Sequence, residues 1–139
     1  MKKILVGVDG SPESRKAAEQ SADLAAAIGA EIVLAYVVSL PVPLTPDAPY
    51  VEQWDVAERE HARELFEEIG ARFAKRGIPV QTVTLSGSPA DTLANMASQP
   101  DIDLVVVGHR GRGAISRVLL GSVADRLVQI SPKPVLVVR

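Results

Sequence analysis

At 139 residues and 14.8 kDa the chain has the length of one ordinary domain, so residues 1–139 are expected to form a single unit without a separate substrate lobe. It holds no cysteine, which excludes disulfides, thiolate metal sites and a cysteine nucleophile, fits a reducing compartment, and makes the cytoplasm the expected location. Fifteen basic residues against seventeen acidic ones leave a formal charge of -2, and only 4% of residues are aromatic, so neither nucleic acid nor an anionic membrane surface is an expected partner.

Only five uncharged residues lie between Lys3 and Asp9, too few for the apolar core of a signal peptide, and no apolar run approaches the ~20 residues of a membrane span. Ile4-Leu5-Val6-Gly7-Val8 is an aliphatic run ending at Asp9-Gly10, the pattern of a strand buried on both faces. A helix follows, with Ser11 as cap, Pro12 at its first position, a face of Ala17, Ala18, Ser21, Ala22, Leu24, Ala25 and Ile28, and Gly29 as its stop.

Glu31 to Val38 repeats the strand pattern, and Pro41, Pro43, Pro46 and Pro49 then mark a long loop of unassigned role after Ser39. From Val51 to Arg76, Trp54, Ala57, Ala62, Leu65, Phe66, Ile69 and Phe73 recur at helical spacing before Gly77; they are read as packing groups, and His61 among them as structural. Pro79 to Leu85 predicts a third strand. Ser88-Pro89-Ala90-Asp91 combines a hydroxyl cap, a proline at the first position and an early carboxylate, predicting a helix to about Gln99. Asp103 to Gly108, Ser122 to Ile130 and Val135 to Val138 complete the series as strand, helix and strand. Strict alternation of aliphatic strands with helices predicts an α/β, doubly wound, mostly parallel sheet covered on both faces. Ligands of such sheets lie beyond the carboxyl ends of the strands, where the winding reverses.

The loop after the fourth strand holds Gly108-His109-Arg110-Gly111-Arg112-Gly113, and Leu120-Gly121-Ser122-Val123 opens the next helix. Glycines let backbone amides approach an oxyanion, and a helix amino terminus adds unpaired donors with a partial positive charge. Between Leu104 and Ala124 the chain carries His109, Arg110, Arg112 and Arg117 and no carboxylate, a local bias toward an anion. Glycine content and charge alone fit a solvated strand-to-helix connection equally well, so the spacing must decide.

That spacing is G-x2-G-x9-G-S, filled by Gly108, Gly111, Gly121 and Ser122, and it resembles the ATP-binding signature of the universal stress protein family. Lys3 through Ser11 resembles the family's first strand and turn, and Leu119 through Val138 its carboxyl-terminal block. The resemblance implies five parallel strands in the order 3-2-1-4-5 with four main helices, an arrangement like that of the adenine nucleotide alpha hydrolases. It implies that Gly7, Val8 and Asp9 border the nucleoside, with Asp9 near ribose or an indirectly held Mg or Mn ion, and that Val37 borders adenine. Val107, Gly108, Gly111, Gly121, Ser122, Val123 and Ala124 would follow the phosphates, with His109 and Arg110 within reach of them. Many relatives carry a hydroxyl residue where this chain has Ala124. The resemblance also implies a homodimer through the terminal strand Val135–Val138.

Other phosphate folds fit poorly. No Gly-Lys pair exists for a Walker loop, and the Gly111-x-Gly113 pair follows the fourth strand where a dinucleotide fold needs its glycines after the first. A receiver domain needs a carboxylate ending the third strand, where this chain has Leu85-Ser86-Gly87. Ser122 is assigned both a capping and a phosphate role. Fast phosphoryl transfer needs a group that orients water, and none is evident, so the expectation is a nucleotide-dependent stress-response module with at most slow ATP hydrolysis and protein partners of unknown identity. A nucleotide-free dimeric scaffold of the same fold is the alternative; a small hydrolase or kinase would need a nucleophile and base that the chain does not display.

Overall fold

A computed structural model of the chain describes residues 2–39, 50–111 and 120–139. The backbone runs β1 (Lys3–Gly7), α1 (Pro12–Ile28), β2 (Glu31–Val38), α2 (Tyr50–Lys75), β3 (Val80–Ser86), α3 (Pro89–Ala97), β4 (Leu104–Gly108), α4 (Ser122–Ile130) and β5 (Val135–Val138). Pro41, Pro43, Pro46 and Pro49, and likewise Arg112, Gly113 and Arg117, lie outside the described residues. The strands form one sheet in the order β3-β2-β1-β4-β5, and every neighbouring pair is parallel. The class and the strand order are those expected.

Alternation along the central strands builds two apolar layers. Ile4 and Val6 of β1, with Leu104 and Val106 of β4, face α1 and α2, where they meet Ala17, Ala22, Leu65, Ile69 and Phe73. Leu5, Val105 and Val107 face α3 and α4 and pack with Leu93, Ala97, Ala124 and Leu127. β1 and β4 are therefore buried on both sides, as central parallel strands must be when helices cover each face. The Asp103 carboxylate accepts the backbone N–H groups of Lys2 at 2.6 Å and Lys3 at 3.2 Å, joining the entry of β1 to that of β4. Those two amides hold its carboxyl below the usual range for an aspartate.

Helix ends follow the expected chemistry in α1 and at the close of α2, where Gly77 takes φ 68°, and depart from it in α3 and α4. Ser11 Oγ accepts the Ser14 N–H at 3.1 Å, Pro12 opens the helix, and Gly29 closes it at φ 71°, a left-handed conformation suited to glycine. The buried face is Ala17, Ala18, Ser21, Ala22 and Ala25, whereas Ile28 turns outward at the last residue of α1. Ser88 stands at the cap of α3, but its side chain makes no capping bond; its carbonyl accepts the Thr92 N–H instead. In α2 the apolar stripe fails at its amino-terminal end: Trp54 and Ala57 are exposed, and the position that turns inward there is Glu58, 8% exposed. Among the described residues, no helix is long and apolar enough to cross a membrane.

Candidate functional site

β1 and β4 are neighbours in space but not in sequence: the chain winds away from β1 through β2 and β3 on one side, and from β4 through β5 on the other. The connections leaving the carboxyl ends of β1 and β4 diverge to opposite faces, which opens a crevice between them. A cleft of about 530 Å³ occupies that position. Gly7, Val8 and Asp9 from the end of β1 line it, as do Val37 and Ser39 from the end of β2. Val107 and Gly108 from β4, Arg110 and Gly111 from the following turn, and Gly121 through Asp125 at the start of α4 line it as well.

The two glycine turns meet. The Gly121 N–H donates to the His109 carbonyl at 2.9 Å, and a Cβ at residue 121 would lie 3.1 Å from Arg110 Cα and 3.2 Å from that carbonyl oxygen. A Cβ at residue 111 would come within 2.8 Å of Asp9 Oδ2, so the turn after β4 closes onto the turn after β1. Gly121 is the cap residue of α4 and Asp125 N–H takes its carbonyl; the amides of Ser122, Val123 and Ala124 open the helix without intrahelical acceptors. Three donors and the positive end of α4 thus face the cleft. Ser122 is exposed at the first helical position and caps nothing, because the cap position belongs to Gly121, one residue earlier. Ala124 is 2% exposed, its methyl packed with Leu127 and Val107 beneath the sheet, so the missing hydroxyl is filled by core contact.

His109 is the expected site residue that does not line the cleft. Its N–H donates to the Val138 carbonyl at 2.5 Å and its carbonyl is taken by Gly121, so both backbone groups serve the connection; its Nε2 is buried with no hydrogen-bond partner among the described residues. Arg110 does reach the cleft, and its guanidinium lies 3.2 Å from Glu13 Oε1, a pair 30% and 21% exposed. The cationic bias of the segment after β4 is therefore offset in space by carboxylates from elsewhere: Glu13 on Arg110, and Asp9 and Asp125 on the cleft wall.

Asp9 is held as a turn carboxylate as well as a wall residue. Its Oδ1 accepts the Ser11 N–H at 2.9 Å, and its own N–H donates to Ser14 Oγ at 3.3 Å. Behind this turn lies a polar group that the helical pattern of α2 does not announce. A Cβ at Gly10, whose φ is 90°, would lie 2.8 Å from His61 Cε1, so the imidazole packs directly on the turn. His61 Nδ1 lies 2.8 Å from the Tyr36 hydroxyl, the two rings meet edge to face, and Tyr36 also bonds the buried Glu58 carboxylate. The available signal is Glu58 itself, a carboxylate one turn from Trp54 and Ala62 on the same stripe, because a buried charge needs partners to repay its lost hydration. Among the described residues, no group of three or more His, Cys, Asp or Glu side chains is arranged to hold a metal ion.

Comparison with known proteins agrees with this geometry. The model of the universal stress protein family matches residues 1–139. A universal stress protein of Methanocaldococcus jannaschii is 32% identical over 141 residues, covering 99% of this chain and 82% of that protein. Among solved structures, UspA of Lactobacillus plantarum superposes with a TM-score of 0.94 at 30% identity, over 99% of this chain and 97% of that one. A universal stress protein solved in complex with cAMP gives a TM-score of 0.75 at 28% identity, over 99% and 97%. With the sheet order, the paired glycine turns and a family match spanning the whole length, the chain belongs to the universal stress protein family.

Proposed function

We propose that this protein is a single-domain, adenine-nucleotide-binding module of the stress response, taking ATP with Mg or Mn and hydrolysing it slowly at most. The observation that carries this reading is the contact between the two glycine turns, which aims the first amides of α4 and the turn after β4 into one cleft. The adenosine is assigned to the side formed by Val8, Asp9 and Val37, and the phosphates to Gly108, Gly111, Gly121 and the amides of Ser122, Val123 and Ala124. Asp9 and Asp125 suit a hydrated divalent cation, which takes one or two carboxylates and completes its shell with water and phosphate oxygens. A neighbour bound to cAMP supports an adenine nucleotide as the ligand class. Occupancy would favour one arrangement of the α4 entrance over others, and protein partners would read that surface.

Purified protein, denatured and run over an anion exchanger, should release adenine nucleotide. Before denaturation, bound adenine should raise the 260/280 absorbance ratio above that expected for one tryptophan and two tyrosines. Calorimetric titration with ATP, with and without Mg, should saturate; a flat trace for ATP and AMP alike overturns the assignment. That outcome would favour the scaffold reading, to which the buried methyl of Ala124 lends some support.

We also propose a homodimer through β5. This strand lies at the sheet edge, paired with β4 alone among the described strands, and Leu136 is 37% exposed on it. Pro134 withholds an amide only before its start, so antiparallel pairing with a second copy would satisfy the open edge. Light scattering at high concentration should give twice the chain mass; a monomer there counts against the dimer.

A further inference from the structure

Arg110, an arginine of the cleft wall beside the glycine turns, already has an anion from within the fold. Glu13 is placed there by the packing of the molecule. It is the second residue of α1, where a carboxylate is favoured by the helix dipole. Its backbone abuts the end of β4 so closely that a Cβ at Gly108 would lie 2.7 Å from its carbonyl carbon. The contact that seats β4 against α1 therefore brings a carboxylate up to the turn that faces the cleft.

We infer that Glu13 is a specificity-determining residue: by pairing with Arg110 it selects against ligands in proportion to the negative charge they carry, disfavouring a triphosphate more than a monophosphate. The inference rests on the nucleotide reading above. A phosphate that approaches Arg110 must share the guanidinium with Glu13 or displace it, and either way a carboxylate stays near phosphoryl oxygens. The pair is mostly shielded from solvent, so salt screens this repulsion less than it would on an open surface. Glu13→Gln removes the charge and keeps the shape, and its amide can still accept from Arg110 or donate to a phosphate. If Glu13 served instead to orient Arg110 for the ligand, the same substitution would weaken binding.

The test is calorimetric titration of the full chain and its Glu13→Gln variant with adenosine, AMP and ATP at low and raised salt. The variant should bind ATP about five- to tenfold more tightly and AMP about twofold more tightly, with adenosine unchanged. The gain for ATP should shrink as salt rises. Adding Arg110→Gln to the variant should remove most of the extra tightening for ATP over AMP that Glu13→Gln produces, since the two residues act as a coupled pair. Equal changes for all three ligands, or ATP binding that stays the same or weakens in Glu13→Gln, overturn the inference while leaving the nucleotide site standing. Failure of the unmodified protein to bind any of the three overturns the nucleotide reading, and this inference with it.

Discussion

Gly121→Asp should lower adenine-nucleotide affinity by about a hundredfold or more, roughly 2.7 kcal/mol, while the protein keeps a cooperative unfolding transition. The backbone at residue 121, with φ -66° and ψ 157°, is a conformation any residue adopts, so no strain comes from losing glycine there. An aspartate at this position is also a favourable cap for α4, and that gain, about a few tenths of a kcal/mol over glycine, offsets part of the crowding of its Cβ against Arg110 Cα and the His109 carbonyl. The cleft has no such compensation. The new carboxylate would occupy the amides and the positive helix end assigned to phosphate, and would repel the ligand from the site it fills. Titration calorimetry alongside urea unfolding separates the two effects. Unchanged affinity in a folded variant would show that the phosphates do not lie at this turn.

Gly108→Val should act on the fold instead, destabilising it by about 3 kcal/mol in chemical denaturation. A side chain at residue 108 meets backbone, with Glu13 carbonyl carbon at 2.7 Å and its oxygen at 2.9 Å, and α1 can retreat only by disturbing its packing on β4. Gly111 differs, since among the described residues a Cβ there meets the end of the Asp9 side chain and no backbone. The glycines of one signature thus answer to separate demands. Gly108 permits close packing of a strand end on a helix, whereas Gly111 and Gly121 keep space beside a cleft-facing backbone. A Gly108→Val protein as stable as the original would contradict this division.

Much of the molecule was legible in its residues because local chemistry and global packing agree. Aliphatic runs such as Leu104–Val107, the Ser11-Pro12 start and the Gly29 stop locate strands and helix ends without reference to distant contacts. Strand order is another matter: nothing within β1 specifies β4 as its neighbour, and the order came from family resemblance. The limits at the site have the same origin. Arg110 stands in a segment without carboxylates, yet its partner Glu13 is 97 positions away in sequence. His109 sits between two cleft glycines, but its backbone bonds to Val138 and Gly121 decide how the turn is threaded. Ser88 and Ser122 have the composition of caps, and only the traced backbone shows that one makes no capping bond and the other lies a residue too late. Glu58, a carboxylate on an apolar stripe, is the residue that points to the Tyr36 and His61 group supporting the Gly10 turn.

The sole tryptophan stands at the rim of the cleft: the Trp54 indole N–H reaches the Ser39 carbonyl at 3.3 Å, and Ser39 borders the cavity where β2 ends. Indole emission depends on the polarity and hydrogen bonding around the ring, and here a single indole reports from beside the wall assigned to adenine without background from a second tryptophan. The protein therefore carries an intrinsic optical gauge of cleft occupancy, readable without a label and independent of the heat that a titration releases.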